Sequence, residues 1–257
     1  MATPVPLRVL ESHARVYRRT WRGSAISAFL NPILYLAALG MGLGTLVDRG
    51  DTAALALPYV EWLAPALLVA STMQTGFNES AWPVMAGLKW RETYHAALAT
   101  PVGVRDLVLG HIGWVTIRVT MTGLVFAIVA VGFGAMRPVA VPLAVAIGTL
   151  TGIAFAAPIT AYTAGLDRDY HLTSLMRFGI VPMFLFSGTF FPIERLPGWL
   201  EPVAFFTPLW HGVEIARAVG LDEPTRLPIL VNVAVLAVLA VAGTAAAIPL
   251  FARRLVP

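Results

Sequence analysis

The stretch LPILVNVAVLAVLAVAGTAAAIPLF, residues Leu227–Phe251, decides the fold class because it contains no charged side chain. A helix crosses the roughly 30 Å hydrocarbon core of a bilayer with about 20 mainly apolar residues. The earlier runs that meet this requirement are Ser24–Val47, Leu57–Phe77, Leu107–Ala135, Val139–Gly165 and Leu172–Phe191. Their apolar residues are continuous and do not alternate as barrel strands do. The sequence therefore predicts an all-α integral membrane protein with six transmembrane helices, forming a single domain over residues 1–257.

The composition supports a membrane protein and excludes several functional classes. Hydrophobic residues make up 58% of the chain and charged residues 12%, whereas soluble domains carry about 25% charged residues. The basic residues sit beside the apolar runs, not along one polar face, which argues against nucleic-acid binding. Cysteine is absent and the 5 histidines are scattered. We therefore expect no catalytic, cofactor-binding or metal-binding residues in this chain.

The positions of the basic residues predict the orientation in the membrane. Arg and Lys concentrate in the N-terminal tail, in the loops after the second and fourth spans, and at Arg253 and Arg254. Short loops rich in these residues lie in the cytoplasm. Both termini of this multi-pass chain are therefore predicted to be cytoplasmic.

The N-terminal segment Val5–Arg22 has an amphipathic pattern. Its apolar residues recur every three or four positions and are Leu7, Leu10, Ala14, Tyr17 and Trp21. Arginines occupy most of the other face, which is typical of a helix lying in the membrane interface beside anionic lipid headgroups. The alternative is a charge cluster without fixed structure that stops transfer of the chain.

The cytoplasmic loop over residues 80–105 is too long to be a tight connection between spans. Its stretch Arg91–Ala99 predicts a short exposed helix, which ends before Thr100-Pro101 because a residue preceding proline avoids helix. Such a helix is suited to docking onto a soluble partner. The alternative is a solvated loop with no partner.

The outer segment between the last two spans is aromatic but interrupted by Pro192, Pro197, Pro202 and Pro208. Proline at this density prevents one long helix. Its pieces Pro197–Phe205 and Pro208–Val219 are each too short to cross a bilayer, and such backbone needs shielding by protein. The segment is predicted to pack on the outer mouth of the bundle, with Trp199 and Trp210 in the interface and His211 hydrogen-bonded within the segment.

Polar residues inside the predicted spans are candidates for a transport pathway. Arg118 lies within the third span, where a charge is costly and indicates function by default. It either lines a pathway or is paired internally, with Glu61 or a carbonyl. A second polar group near the inner ends of spans one and two suggests a substrate entrance or hydrogen bonds between helices, and comprises Asn31, Gln74, Asn78 and Glu79. His111, at a cytoplasmic span end, is expected to meet headgroups or loop carbonyls.

The chain lacks the motif for hydrolysing ATP. A P-loop needs G-x-x-x-x-G-K-[ST], in which glycine amides cradle phosphate and the lysine reaches its oxygens. Lys89 is the only lysine and stands in GLKW. No glycine immediately precedes it, and no serine or threonine follows it. The chain is therefore not an ATPase, and any ATP hydrolysis requires another chain.

Three stretches resemble the type-2 ABC exporter permeases of the nodulation-factor and daunorubicin-resistance branch. They are NPILYLAALGMGLG at Asn31–Gly44, ETYHAALATPVGVRDLVLG at Glu92–Gly110, and FLFSGTFFPIERLPGWLEPVAFFTPLWHGVEIARA at Phe184–Ala218. The third is the most specific, because SG-x-x-FP-x-x-x-LP followed by P-L-x-H is unusual outside the family. The three stretches cover about a quarter of the chain, and the predicted topology covers all of it.

The resemblance implies a permease subunit of a bacterial inner-membrane exporter, which works with a cytosolic ABC ATPase and a second copy or a similar permease. ATP and Mg are bound by the ATPase. The implied ATPase-coupling residues are Arg91, Glu92, Thr93, Tyr94, His95, Leu98 and Thr100. A re-entrant helical hairpin over residues 192–220 would close the outside, with gate residues Phe191, Pro192, Pro197, Trp199, Pro208 and His211. The pathway candidates remain Arg118, Asn31 and Gln74.

The branch exports amphiphilic drugs, lipids and glycolipids, so drug efflux and antibiotic resistance are among the implied roles. The sequence does not select one substrate or distinguish homodimers from heterodimers. A polytopic membrane enzyme or a channel without an ATPase is the alternative. Neither a catalytic constellation at membrane depth nor a filter-like loop is evident in the sequence.

Overall fold

The computed structural model describes residues 5–47 and 57–256, and these residues contain helices and loops but no strand. The α-helices are α1 Val5–Tyr35, α2 Gly44–Val47, α3 Tyr59–Met85, α4 Thr93–Leu98, α5 Val104–Gly132, α6 Val141–Ala164, α7 Tyr170–Leu175, α8 Val181–Phe186, α9 Glu201–Phe205, α10 Pro208–Leu221 and α11 Ile229–Leu255. Wider π-helical turns continue α1, α3 and α7 at Leu36–Leu43, Ala86–Trp90 and Met176–Ile180. Short 3-10 turns lie at Pro138–Ala140 and Ile193–Arg195.

Four helical stretches among the described residues are long and apolar enough to cross a membrane: Val5–Gly40, Val104–Gly132, Pro138–Ala164 and Ile229–Leu255. The two other predicted spans are helical but do not meet this criterion. Helix α3 carries polar residues along its length, and the helical stretch from α7 to α8 ends at Phe186 instead of the predicted Phe191. Length and composition thus support four of the six predicted spans.

The N-terminal region differs from its prediction. Helix α1 runs unbroken through Gly23, whereas the sequence predicts an interfacial helix ending at Arg22 and a separate span over Ser24–Val47. The first part of this helix packs on α5, where Val9 is buried and a Cβ on Gly110 would lie 2.6 Å from the Val9 Cβ. The alternative of a charge cluster without fixed structure is also replaced by this continuous helix.

Helices α3 and α6 form the centre of the bundle, and glycine allows them to pack closely. A Cβ on Gly76 of α3 would overlap the backbone carbonyl of Gly152 on α6. Helix α11 approaches the other side of α6 in the same way, where a Cβ on Gly243 would overlap the backbone at Pro158. Small residues permit such contacts between membrane helices, where dispersion contributes much of the stability.

The outer segment folds against the end of the bundle where α3 begins. Thr207 caps α10 by accepting a hydrogen bond from the Trp210 backbone N–H at 3.3 Å, and Pro208 occupies the first turn. Helix α10 packs among α3, α6 and α11. The predicted pieces Pro197–Phe205 and Pro208–Val219 correspond to the shorter helix α9 and the slightly longer helix α10.

Candidate functional site

An ion pair joins α3 and α5 inside the bundle. The Arg118 Nε donates to Glu79 Oε1 at 2.8 Å, with the side chains 15% and 20% exposed. The Arg118 guanidinium also lies 4.4 Å from the ring centroid of Tyr17 on α1, a cation–π distance. The suggested partner Glu61 is wrong, because Glu79, not Glu61, lies on the part of α3 that faces Arg118.

A polar cavity of about 400 Å³ lies beside this ion pair, between α1, α3 and α5. Its lining includes all three predicted pathway residues, Asn31, Gln74 and Arg118, together with Asn78. Within residues 5–47 and 57–256, the three carboxamides have no hydrogen-bond partner. Of the four residues for which hydrogen bonds between helices were the alternative, Glu79 makes one, to Arg118 of α5, and the three carboxamides make none among the described residues.

A second cavity of about 350 Å³ adjoins the first on the α1–α5 side. Its lining is mainly apolar and includes Trp21, Phe29, Met121 and Val125. The two cavities share the lining residues Ala28, Arg118 and Thr122. The structure thus places a hydrogen-bonding compartment next to an apolar one.

Helix α4 forms a short projection at the opposite end of the bundle from the outer segment. Glu92 precedes it in a left-handed conformation with φ 49°, so the chain turns sharply into the helix. Tyr94 is buried, its ring 5.8 Å from that of Phe251, and a Cβ on Gly87 would lie 2.6 Å from the Tyr94 ring. Tyr94 therefore anchors α4 to the bundle and does not face outward.

The other predicted coupling residues lie on the accessible side of this projection. The exposed ones are Arg91, Glu92, Thr93, His95 and Thr100, while Leu98 is half-buried. Helix α4 thus presents a surface of mixed charge with some apolar character, while the buried Tyr94 holds the helix against the bundle.

Asp167, in the loop between α6 and α7, ties neighbouring elements together near α4. Its carboxylate accepts a hydrogen bond from Arg254 of α11 at 2.8 Å, and its backbone carbonyl accepts one from Lys89. The Arg254 hydrogen bond and charge, with the Lys89 charge, lower the pKa of the Asp167 carboxyl below its usual value. The π-helical turn that continues α3, the loop after α6 and the end of α11 are thereby joined.

The predicted gate residues lie in the outer segment but occupy different environments. Phe191, Pro192 and Pro208 are half-buried, Pro197 is exposed, Trp199 is 74% exposed, and His211 is buried. The His211 Nδ1 lies 2.6 Å from Asn232 Oδ1 of α11. This corrects the expected bond within the outer segment. Trp210 is buried among helices, which corrects its expected interfacial position.

Two features of the structure were not predicted from the sequence. Arg217 of α10 is buried, 3.5 Å from the Trp62 ring centroid, and donates to the Gly188 carbonyl at 2.7 Å, closing the turn after α8. His111 is buried, with no hydrogen bond to either ring nitrogen among the described residues, instead of meeting headgroups or loop carbonyls. No local pattern marks Arg217, which lies in a segment distinguished mainly by its prolines and aromatic residues.

The described chain contains no group of three or more His, Cys, Asp or Glu side chains placed to hold a metal ion. The candidate site consists of the two adjoining cavities and the projection α4.

The chain belongs to the ABC-2 type transporter family, whose model matches residues 9–221. It is thus an integral membrane permease with several candidate transmembrane helices. Nodulation protein J of Rhizobium meliloti is 30% identical over 216 residues, which are 81% of this chain and 81% of that protein. The Nodulation protein J sequences of Sinorhizobium fredii and Bradyrhizobium diazoefficiens are each 30% identical over 250 residues, covering 93% of this chain and 92% of theirs.

Proposed function

We propose that this chain is the permease subunit of an ATP-driven exporter and is powered by a separate cytosolic ABC ATPase. It moves an amphiphilic drug-like, lipid or glycolipid substrate out of the cytoplasm or the inner leaflet. ATP and Mg are bound by the partner, and the permease resides in the bacterial inner membrane with both termini in the cytoplasm. Membership of the ABC-2 family supports this proposal.

The observation that carries the proposal is the geometry of α4. The helix projects from the bundle with Arg91, Glu92 and His95 accessible, and the buried Tyr94 ring fixes it to α11 through Phe251. A push on such a projection passes to packed helices as a rigid-body movement. This is the arrangement that coupling to an external motor requires.

The substrate class is supported by the paired cavities. One compartment offers amides and hydroxyls, and the adjoining one offers aromatic and aliphatic side chains. A molecule with a polar head and an apolar chain matches both. The relatives named above are nodulation proteins by name, and the resemblance to the nodulation-factor branch suggests a nodulation factor as one such substrate.

The test is copurification of the detergent-solubilised chain with the ATPase encoded beside it. We expect wild type to form a complex with ATPase activity, and the double charge reversal Arg91→Glu/Glu92→Arg to lose it. The control is Arg195→Glu, a charge reversal of an exposed residue at the other end of the bundle. This control leaves the complex intact.

A wild-type chain that folds but never retains an ATPase contradicts the proposal and favours a channel or membrane enzyme. Equal loss of the complex in the Arg195→Glu control also contradicts it, because the effect then does not depend on α4.

A further inference from the structure

We infer that the two adjoining cavities form one binding site for an amphiphile with an uncharged, hydroxyl- or amide-rich head, which sits within the α1–α3–α5 part of a single chain. This inference rests on the proposed export function and specifies where its substrate binds and which head chemistry the site selects. Four observations carry it: the amides that line one cavity, the neutralised charge of Arg118, the apolar lining of the other cavity and the connection between the two.

The head compartment is identified by the carboxamides that line it, with Asn31 and Asn78 exposed and Gln74 half-buried. The carboxamides of Asn31, Gln74 and Asn78 line one cavity and have no partner among the described residues. Each carboxamide offers two N–H donors and an accepting oxygen. Groups of this kind are placed to bind hydroxyls and amides, which present both donors and acceptors.

The charge balance selects against an anionic head. Arg118 is the cationic residue that lines this cavity, and Glu79 neutralises it at 2.8 Å. An anionic head would have to compete with the Glu79 carboxylate for the guanidinium, since charge-assisted pairs of this length are strong. Arg18 lies on the apolar side and is exposed, so its charge is solvated away from the head compartment.

The chain compartment is identified by its lining and its continuity with the head compartment. Trp21, Phe29 and Met121 offer an apolar surface that is half-exposed along the α1–α5 groove. At Ala28, which lines both cavities, α1 carries only a methyl side chain. An alkyl chain can therefore extend past Ala28 while its head remains among the amides.

The experiment uses two photoactivatable probes with the same diazirine-bearing dodecyl chain, one a glucoside and the other a phosphate. The purified chain, without an ATPase, is placed in phosphatidylcholine nanodiscs, and crosslinked peptides are located by mass spectrometry. We expect the glucoside to label the segments at residues 21–29 and 121–125, roughly tenfold more than the phosphate does at equal concentration.

Two sets of variants test the two compartments. Ala28→Phe blocks the connection and lowers glucoside labelling at these segments by roughly tenfold, while Ala234→Phe, on the exposed side of α11, leaves it unchanged. Gln74→Leu and Asn78→Leu each lower it by roughly three- to tenfold, because each removes hydrogen bonds to the head.

The ion pair provides the sharpest test of head selection. Glu79→Gln removes the carboxylate that neutralises Arg118. Labelling by the phosphate probe is therefore expected to rise relative to labelling by the glucoside probe. The neutral pair Glu79→Gln/Arg118→Gln restores the preference for the glucoside. This comparison separates selection by charge from a loss of folding, and a monodisperse elution profile confirms that each variant is folded.

Labelling spread evenly over the exposed apolar helices, without a preference for either head group, would overturn the inference. It would show that the probes only surround the protein as annular lipids do. An unchanged preference in Glu79→Gln would overturn it as well. Because the assay contains no ATPase, labelling at this site without complex formation contradicts only the proposed function. ATPase coupling without labelling contradicts only this binding site.

Discussion

Arg118 and Glu79 illustrate why a single pair of residues links stability to function in this chain. Each is largely removed from solvent, and they meet at 2.8 Å between two different helices. A charge inside a membrane bundle is expensive unless it is paired, and paired charges there commonly mark pathways. Here Arg118 also lines the polar cavity, so the same contact that stabilises the bundle also sets the charge that the proposed ligand would meet.

Removing one partner is therefore expected to cost more than removing both. Arg118→Met leaves the Glu79 carboxylate unpaired and lowers the free energy of unfolding by about 3 kcal/mol, whereas Arg118→Met/Glu79→Leu loses less. Denaturant unfolding of the detergent-solubilised chain measures both. A double variant that is as unstable as the sum of the two single variants would contradict this account of the pair.

Gly76 is a second residue that determines the packing, because it has no side chain. Gly76→Ala is expected to lower the free energy of unfolding by about 1–3 kcal/mol, because its Cβ meets the Gly152 carbonyl on α6 and the two helices must separate. Gly132→Ala is the control, since a Cβ there has open space. Thermal unfolding in detergent compares them, and equal midpoints would show that the α3–α6 contact tolerates a methyl group.

At the scale of elements, Tyr94 determines whether α4 behaves as a rigid projection. Its ring packs on Phe251, while its hydroxyl is buried without a hydrogen bond to any described residue. The ring thus provides the anchoring, and the hydroxyl does not contribute to it.

Tyr94→Phe is therefore expected to leave ATPase coupling unchanged and to preserve or raise stability, because it removes an unsatisfied polar group. Tyr94→Ala loses the packing and uncouples the ATPase, although the accessible residues of α4 are intact. ATPase activity of the copurified complex, with and without substrate, measures the coupling. Normal coupling in Tyr94→Ala would show that α4 needs no anchor.

Hydropathy predicted the long elements well and their contacts poorly. The run Leu107–Ala135 corresponds to α5 within about three residues, because a continuous apolar run is a strong local signal. The path of α1 through Gly23 was missed, and so was its packing on α5, because residues such as Val9 contact a helix about 100 residues further along the chain. Such contacts depend on how each helix is rotated.

The same limit applies to the candidate site. Asn31, Gln74 and Arg118 were selected because polar residues in apolar runs are exceptional, and the structure places all three on one cavity. The partner of Arg118 was not predictable, because Glu61 and Glu79 both lie on α3 and only tertiary packing distinguishes them. Likewise, the resemblance that implied Tyr94 as a coupling residue did not indicate that its ring points inward.

At the scale of the whole molecule, one face of the bundle carries large exposed apolar side chains on two neighbouring elements. On α1 these include Leu30 and Leu34, and on the α7–α8 stretch Phe178 and Leu185. Tyr35 and Phe184 connect the two elements, with ring centroids 6.3 Å apart. Such a face suits a second permease copy, which the proposed exporter requires.

A charge introduced on this face should therefore separate the permeases. Leu34→Glu is expected to convert a dimer to a monomer in native mass spectrometry, because a buried unpaired carboxylate is strongly unfavourable. Val238→Glu, at an exposed position on α11, is the control and retains the dimer. A wild-type chain that is monomeric, or a dimer that survives Leu34→Glu, would contradict the assignment of this face.

The most direct test of the permease account uses the absence of cysteine from the chain. A single Gln74→Cys variant places a thiol in the polar cavity, and Val139→Cys, at a position 83% exposed at the outer end, serves as the control. Maleimide labelling rates are measured in the complex with its ATPase, with and without ATP trapped by vanadate. The account predicts that trapping changes the Gln74→Cys rate several-fold and leaves the Val139→Cys rate unchanged. Identical Gln74→Cys rates in the two states would contradict the claim that ATP hydrolysis by a partner drives this cavity.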